Sequence, residues 1–152
     1  MTNNKSKIII GVVVLLLILG ALFYWPRLGK KKIVTDVPCL APGIPLQQHI
    51  HPELKIVVGD KPQPMPANVG LTGGCERALH THDDTGIIHV ESQDSREYTL
   101  GDFFSVWGEP LQRLGYRLEV KVDGQVSGEL GNLKFKDKQK VELVYVDRKS
   151  VV

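Results

Sequence analysis

Several familiar catalytic signatures are missing from this chain. It contains no G-x-S-x-G elbow, no G-x-x-x-x-G-K-[ST] loop, no H-E-x-x-H and no C-x-x-C. Those absences exclude nucleophile-elbow hydrolases, P-loop nucleotide enzymes, helix-borne zinc proteases and dithiol oxidoreductases. Internal repeats are absent as well. No acidic residue precedes Asp36, whereas six of the 19 Lys and Arg residues lie within residues 1–32. The remainder therefore holds 13 basic and 17 acidic residues, a net charge of −4. Phosphate backbones need a basic surface, so a mildly acidic domain excludes nucleic acid as a partner.

The one long apolar run is Ile8 to Trp25, 18 residues without a charge. As a helix it would extend roughly 27 Å, close to the hydrocarbon thickness of a bilayer. Phe23, Tyr24 and Trp25 crowd its end, where amphipathic rings favour the membrane–water interface, and Pro26 stops it. A water-soluble core helix would need a polar face, which this run lacks. No small-residue A-x-A pattern follows, so the segment reads as a retained anchor rather than a cleaved signal. Residues 1–7 are then a cytoplasmic N-terminus. Lys and Arg outnumber on the far side (Arg27, Lys30, Lys31 and Lys32 against Lys5 and Lys7), which by count alone puts the following domain inside. First helices commonly enter with a short N-terminus inside, and long domains translocate largely regardless of charge. With two cysteines suited to an oxidising compartment, the expectation is an extracytoplasmic domain on a single-pass anchor. The basic residues beside the span suit anionic headgroups.

Residues 26–47 read as a stalk, broken by Pro26, Pro38, Pro42, Pro45, Gly29 and Gly43. Residues 48–148 read as a small β-rich α+β domain of antiparallel strands with one short helix, followed by a tail at 149–152. Leu54–Val58 predicts a strand ended by a Gly59-Asp60-Lys61-Pro62 turn. Pro62 to Gly74 predicts loop with one short strand near Val69. Ala78–His82 and Ile87–Glu91 predict a hairpin around Asp83-Asp84-Thr85-Gly86. Thr99–Trp107 carries apolar residues at helical spacing (Leu100, Phe103, Phe104 and Trp107), an N-cap pair in Thr99 and Asp102, and a stop at Gly108. Tyr116–Val122 and Val141–Tyr145 alternate as half-buried strands, the first ending at Asp123-Gly124. Cys39 and Cys75 predict a disulfide closing about 36 residues, worth roughly 4 kcal/mol in the chain-entropy model. Two separate thiols, or one thiol as a metal ligand, are the alternatives.

All five histidines fall between residues 49 and 89, as His49-Ile50-His51, His80-Thr81-His82 and His89-Val90-Glu91. Residues two apart on a strand share a face, so each triplet projects two ligands to one side. A turn at Thr85-Gly86 places His82 opposite His89, and a turn at Asp84-Thr85 places His80 there; either keeps His80, His82, His89 and Glu91 together, whereas a three-residue loop breaks that arrangement. Imidazole suits copper, zinc and iron, and Glu91 adds an oxygen. Asp83 and Asp84 are candidate acceptors for the ring N–H groups. His49 and His51 join only if a strand neighbour brings them. Solvated histidines on a wet strand face, with Thr81, Ile88 and Val90 buried, are the plain alternative.

His-x-His followed by Glu partly resembles the cupin metal motif. Glu91 lies nine residues after His82 and no second motif with a distant His follows, which sets that family aside. His49-Ile50-His51, the run Met65 to Gly70, Cys75, LHTHDDTGIIHVES (Leu79–Ser92) and LGDFFSVWG (Leu100–Gly108) together resemble an uncharacterised module of membrane-anchored or exported bacterial and archaeal proteins. That resemblance implies export and a coherent domain over about two-thirds of the chain, and no reaction. Three functions follow as expectations. One is a membrane-anchored domain binding a copper- or zinc-class metal. Another is a metal-dependent enzyme using the same site, with Glu91 or Asp84 as base. The third is a metal-free module offering its edge strands to a protein partner.

Overall fold

The computed structural model describes residues 7, 9–15 and 35–150. The chain divides into two compact units, Met1–Lys32 and Ile33–Val152. In the first, residues 9–15 are helical and expose their apolar side chains, Ile9, Ile10 and Leu15 among them. The span expected at 8–25 lies mostly outside the described residues. Among those described, no helix is long and apolar enough to cross a membrane.

The second unit runs β1 (Gln48–Ile50), β2 (Glu53–Val58), β3 (Lys61–Gln63), β4 (Leu71–Thr72), β5 (Cys75–Glu76), β6 (Leu79–His80), β7 (His89–Ser92), α1 (Leu100–Trp107), β8 (Tyr116–Val122), β9 (Gln125–Ser127) and β10 (Lys140–Asp147). A five-stranded sheet has the order β3-β2-β10-β8-β9, and a three-stranded sheet the order β1-β7-β6. β4 and β5 form a separate ribbon. Alternation decides the faces of the larger sheet. Val141, Leu143 and Tyr145 of β10 point into the core with Leu54, Ile56 and Val120. Their neighbours point outward, where Glu142 meets Lys55 at 2.8 Å and Lys121 at 3.9 Å. Two-residue turns close the hairpins where the backbone tolerates positive φ. Asp123 (50°) and Gly124 (84°) join β8 to β9, the signature of a type I′ turn.

α1 forms because its ends are satisfied locally. Asp102 N–H donates to Thr99 Oγ1, and Thr99 N–H donates back to the Asp102 carboxylate. Gly108, at φ 79°, donates its N–H to the Phe104 carbonyl. Leu100, Phe103, Phe104 and Val106 are buried in the common core with Leu79, Ile88 and Val90, and the helix packs against β6.

Several expectations change. Pro62 to Gly74, expected as loop with one short strand near Val69, instead contributes to β3 and supplies β4 at Leu71–Thr72. The strands were expected to be antiparallel, and most are, but β2 and β10 run parallel. Everything between them, including α1, serves as the long crossover that a parallel pair requires. The tight β6–β7 turn also does not form. Pairing stops at His80 opposite His89, and residues 81–88 make a wider connection. Other segments claim both of its ends. Thr81 N–H donates to the Val69 carbonyl, while the Gly86 carbonyl accepts from Leu54 N–H and Ile88 N–H donates to the Pro52 carbonyl. Backbone groups buried there must find partners, and these non-local ones win over a hairpin. Of the stretch read as a stalk, residues 35–47 lie against the domain. Val37 is buried, Leu40 N–H donates to Glu76, and Gln47 N–H donates to Ser92.

Candidate metal centre

The smaller sheet places the histidines. β7 is its central strand and carries His89 and Glu91 on one face. β6 sets His80 directly opposite His89, and His82 follows just beyond the strand's end. β1 sets His49 opposite Glu91, and the same register continued carries His51 to His89. The alternate residues Ile50, Leu79 and Val90 face the core. The face that the five imidazoles share is therefore forced by burying the other one.

Ring centroids are 5.1 Å apart for His80 and His89, 4.5 Å for His82 and His89, and 4.7 Å for His51 and His89. Three ligand groups have their donor atoms mutually within 4.8 Å: His80, His82 and His89; His49, His51 and His89; and Glu76, His80 and Glu91. Each offers the donor types of a metal ligand set. The arrangement uses the second of the two registers considered, His80 facing His89. It also draws in His49 and His51, whose strand neighbour is β7.

His80 is the best-defined ligand. It is fully buried, and its Nδ1 lies 2.9 Å from the Arg77 carbonyl oxygen. A carbonyl only accepts, so Nδ1 carries a proton and Nε2 is the nitrogen left to meet a metal ion. That Nε2 sits 3.2 Å from His82 Nε2 and 3.3 Å from Glu76 Oε1. Two ligands bound at about 2.0–2.1 Å to one tetrahedral zinc lie about 3.3 Å apart. Each separation on its own matches an edge of such a tetrahedron, and His82 and Glu76 belong to different ligand groups. The backbone acceptor on Nδ1 is the outer-shell partner that metal-bound histidines ordinarily have. Without a metal, the same pair closes if His82 Nε2–H donates to His80.

His89 resists protonation. Burial lowers its pKa below the ordinary 6.5, and the neighbouring His80, His82 and His51 push the same way, while Glu91 opposes them. Its Nδ1 is buried without a hydrogen-bond partner, Glu91 Oε1 being 3.7 Å away. An orphaned buried nitrogen costs about 1–3 kcal/mol unless something binds it. Glu91, half-buried, also lies 3.2 Å from His49 Nε2.

Asp83 takes a different part from the one expected. Its carboxylate accepts from Thr85 N–H at 3.0 Å and Thr85 Oγ1 at 2.6 Å, which depresses its pKa and shapes the 81–88 connection. Asp84 is exposed on the same connection. The ring N–H of His80 goes instead to Arg77, a main-chain acceptor that no residue pattern advertises. Glu76 is the ligand candidate that sequence reasoning missed. It lies on β5, with no periodicity linking it to the histidines.

The disulfide Cys39–Cys75 supports this corner, with a Cα–Cα distance of 5.3 Å. Cys39 forms a β-bridge with Arg77, and Ala78 N–H donates to the Pro38 carbonyl. The bond thereby ties residues 37–40 to the chain carrying Glu76 and Arg77. The rim is open: His49, His82 and Glu76 are exposed, and His51, His89 and Glu91 are half-buried. Compared with protein-family models, curated protein sequences and solved structures, the chain has no significant match.

Proposed function

We propose that this chain is a membrane-anchored, extracytoplasmic domain that binds a transition-metal ion of the copper or zinc class. His80, His82 and His89 are its nitrogen ligands, and Glu76 or Glu91 supplies oxygen. The observation that carries the reading is the environment of His80. Its Nδ1–H is fixed on the Arg77 carbonyl, and its Nε2 faces His82 at 3.2 Å and Glu76 at 3.3 Å. Mixed imidazole and carboxylate donors favour a borderline divalent ion over the hard ions, which take oxygen alone. The open rim supports capture and release of the ion rather than chemistry in an enclosed pocket. Export is supported by the disulfide, which persists in oxidising compartments. Anchoring is supported by the charge-free run at residues 8–25.

The test is metal content. The full chain, purified in detergent without a His-tag, should retain stoichiometric copper or zinc by elemental analysis. H80A/H82A should lose it. Equal metal in that variant and the wild type would overturn the ligand assignment, and a wild type that takes up no metal would overturn the function.

A further inference from the structure

The patch offers more donors than one ion takes. A tetrahedral centre uses four ligands, whereas five imidazoles and two carboxylates converge here. Their distribution is uneven in an informative way. His80 and His82 pack on each other at 4.8 Å on one side of His89, and His49 and His51 pack on each other at 4.6 Å on the other side. Both pairs reach His89, and the two triads have only that residue in common. The sheet explains the separation. β1 and β6 flank β7 on opposite sides, so their backbones stand about 9–10 Å apart.

Glu91 occupies the seam beside His89. Its carboxylate is 3.2 Å from His49 Nε2 on one side, and it belongs to the Glu76–His80 group on the other. A carboxylate has two oxygens, and one that reaches two ligand sets can bridge two ions. We infer that the patch is a dinuclear centre for two divalent transition-metal ions. His80 and His82 hold one ion, His49 and His51 hold the other, and His89 and Glu91 stand between them. This deepens the mononuclear reading above and rests on it. Two ions bring four positive charges against the Glu91 carboxylate, so a small anion or hydroxide completes the shell on the open rim.

The experiment uses the full chain in detergent, stripped of metal and titrated with Cu2+. Bound equivalents are counted by elemental analysis, and coupling is read by electron paramagnetic resonance. Two bound equivalents with a magnetically coupled signal are expected, since bridged ions sit about 3.5–4 Å apart. H49A/H51A should bind one equivalent and show an isolated, uncoupled Cu2+ signal. His49 is exposed and His51 half-buried, so this variant retains the core. H82A should weaken the other site by at least tenfold and leave one tight equivalent. A wild type that binds a single equivalent, retained unchanged in H49A/H51A, would overturn the dinuclear centre and leave the mononuclear reading standing. Two equivalents without coupling would also overturn it. No binding at all would remove both.

Discussion

Gly70 tests whether the backbone around β6 positions the metal ligands. Its φ is +77°, and a Cβ added there would run into the Leu79 carbonyl oxygen, well inside contact distance, and come within 3.1 Å of His80 Cβ. That oxygen has to retreat by about an ångström to reach a normal C···O separation of about 3.3 Å. A non-glycine residue in the left-handed region costs roughly 1 kcal/mol, and forcing packed groups apart typically adds about 1–3 kcal/mol. Gly70→Ala should thus destabilise the domain by about 2–4 kcal/mol. Gly73 supplies the control. Its φ is +54°, but a Cβ there meets nothing within 4 Å. Gly73→Ala should cost only the conformational part, about 1 kcal/mol. Denaturant unfolding in chelator measures both. Metal affinity then separates the variants again, because only Gly70→Ala displaces His80 from a position where its Nε2 sits 3.2 Å from His82. A tenfold or greater loss is expected for Gly70→Ala and none for Gly73→Ala. Equal destabilisation by the two substitutions, or a Gly70→Ala domain with wild-type affinity, would refute the reasoning.

Three further outcomes are open to measurement. C39S/C75S removes a cross-link across 36 residues; unfolding midpoints should register a loss of roughly 4 kcal/mol, with weaker metal binding because Glu76 and Arg77 are released. His89 has a pKa depressed by burial and by its histidine neighbours. The neutral ring's contribution to metal-free stability is complete above pH 6.5 and disappears as pH falls through the lower folded value. Thermal melts in chelator between about pH 7.5 and 5.5 should therefore fall less steeply for H89Q than for the wild type, and identical slopes would contradict the assignment. Thr99→Ala deletes one half of the capping box, and calorimetry should show a stability loss of about 1 kcal/mol with metal content unchanged.

Locally encoded features were legible in the residues, and they are the ones whose physics acts over a few positions. The α1 cap needs only Thr99, Asp102 and Gly108, and the β8–β9 turn needs only two residues that accept positive φ. Likewise, a period of two already places His80 with His82 and His89 with Glu91. Strand neighbours are different, because they are chosen by burial and by backbone groups far apart in the chain. Nothing near His49 announces that β1 will lie against β7, or that β10 will pair in parallel with β2. Glu76 reaches His80 only because the ribbon and the disulfide bring β5 beside β6. The Arg77 carbonyl that orients His80 is invisible to any pattern, since every residue carries one.

The kinds of donor and the face each triplet presents thus follow from composition and strand period. Their convergence on one face was settled by packing: burying Ile50, Leu79 and Val90 in a shared core turns three separate triplets toward the same side, where five imidazoles meet.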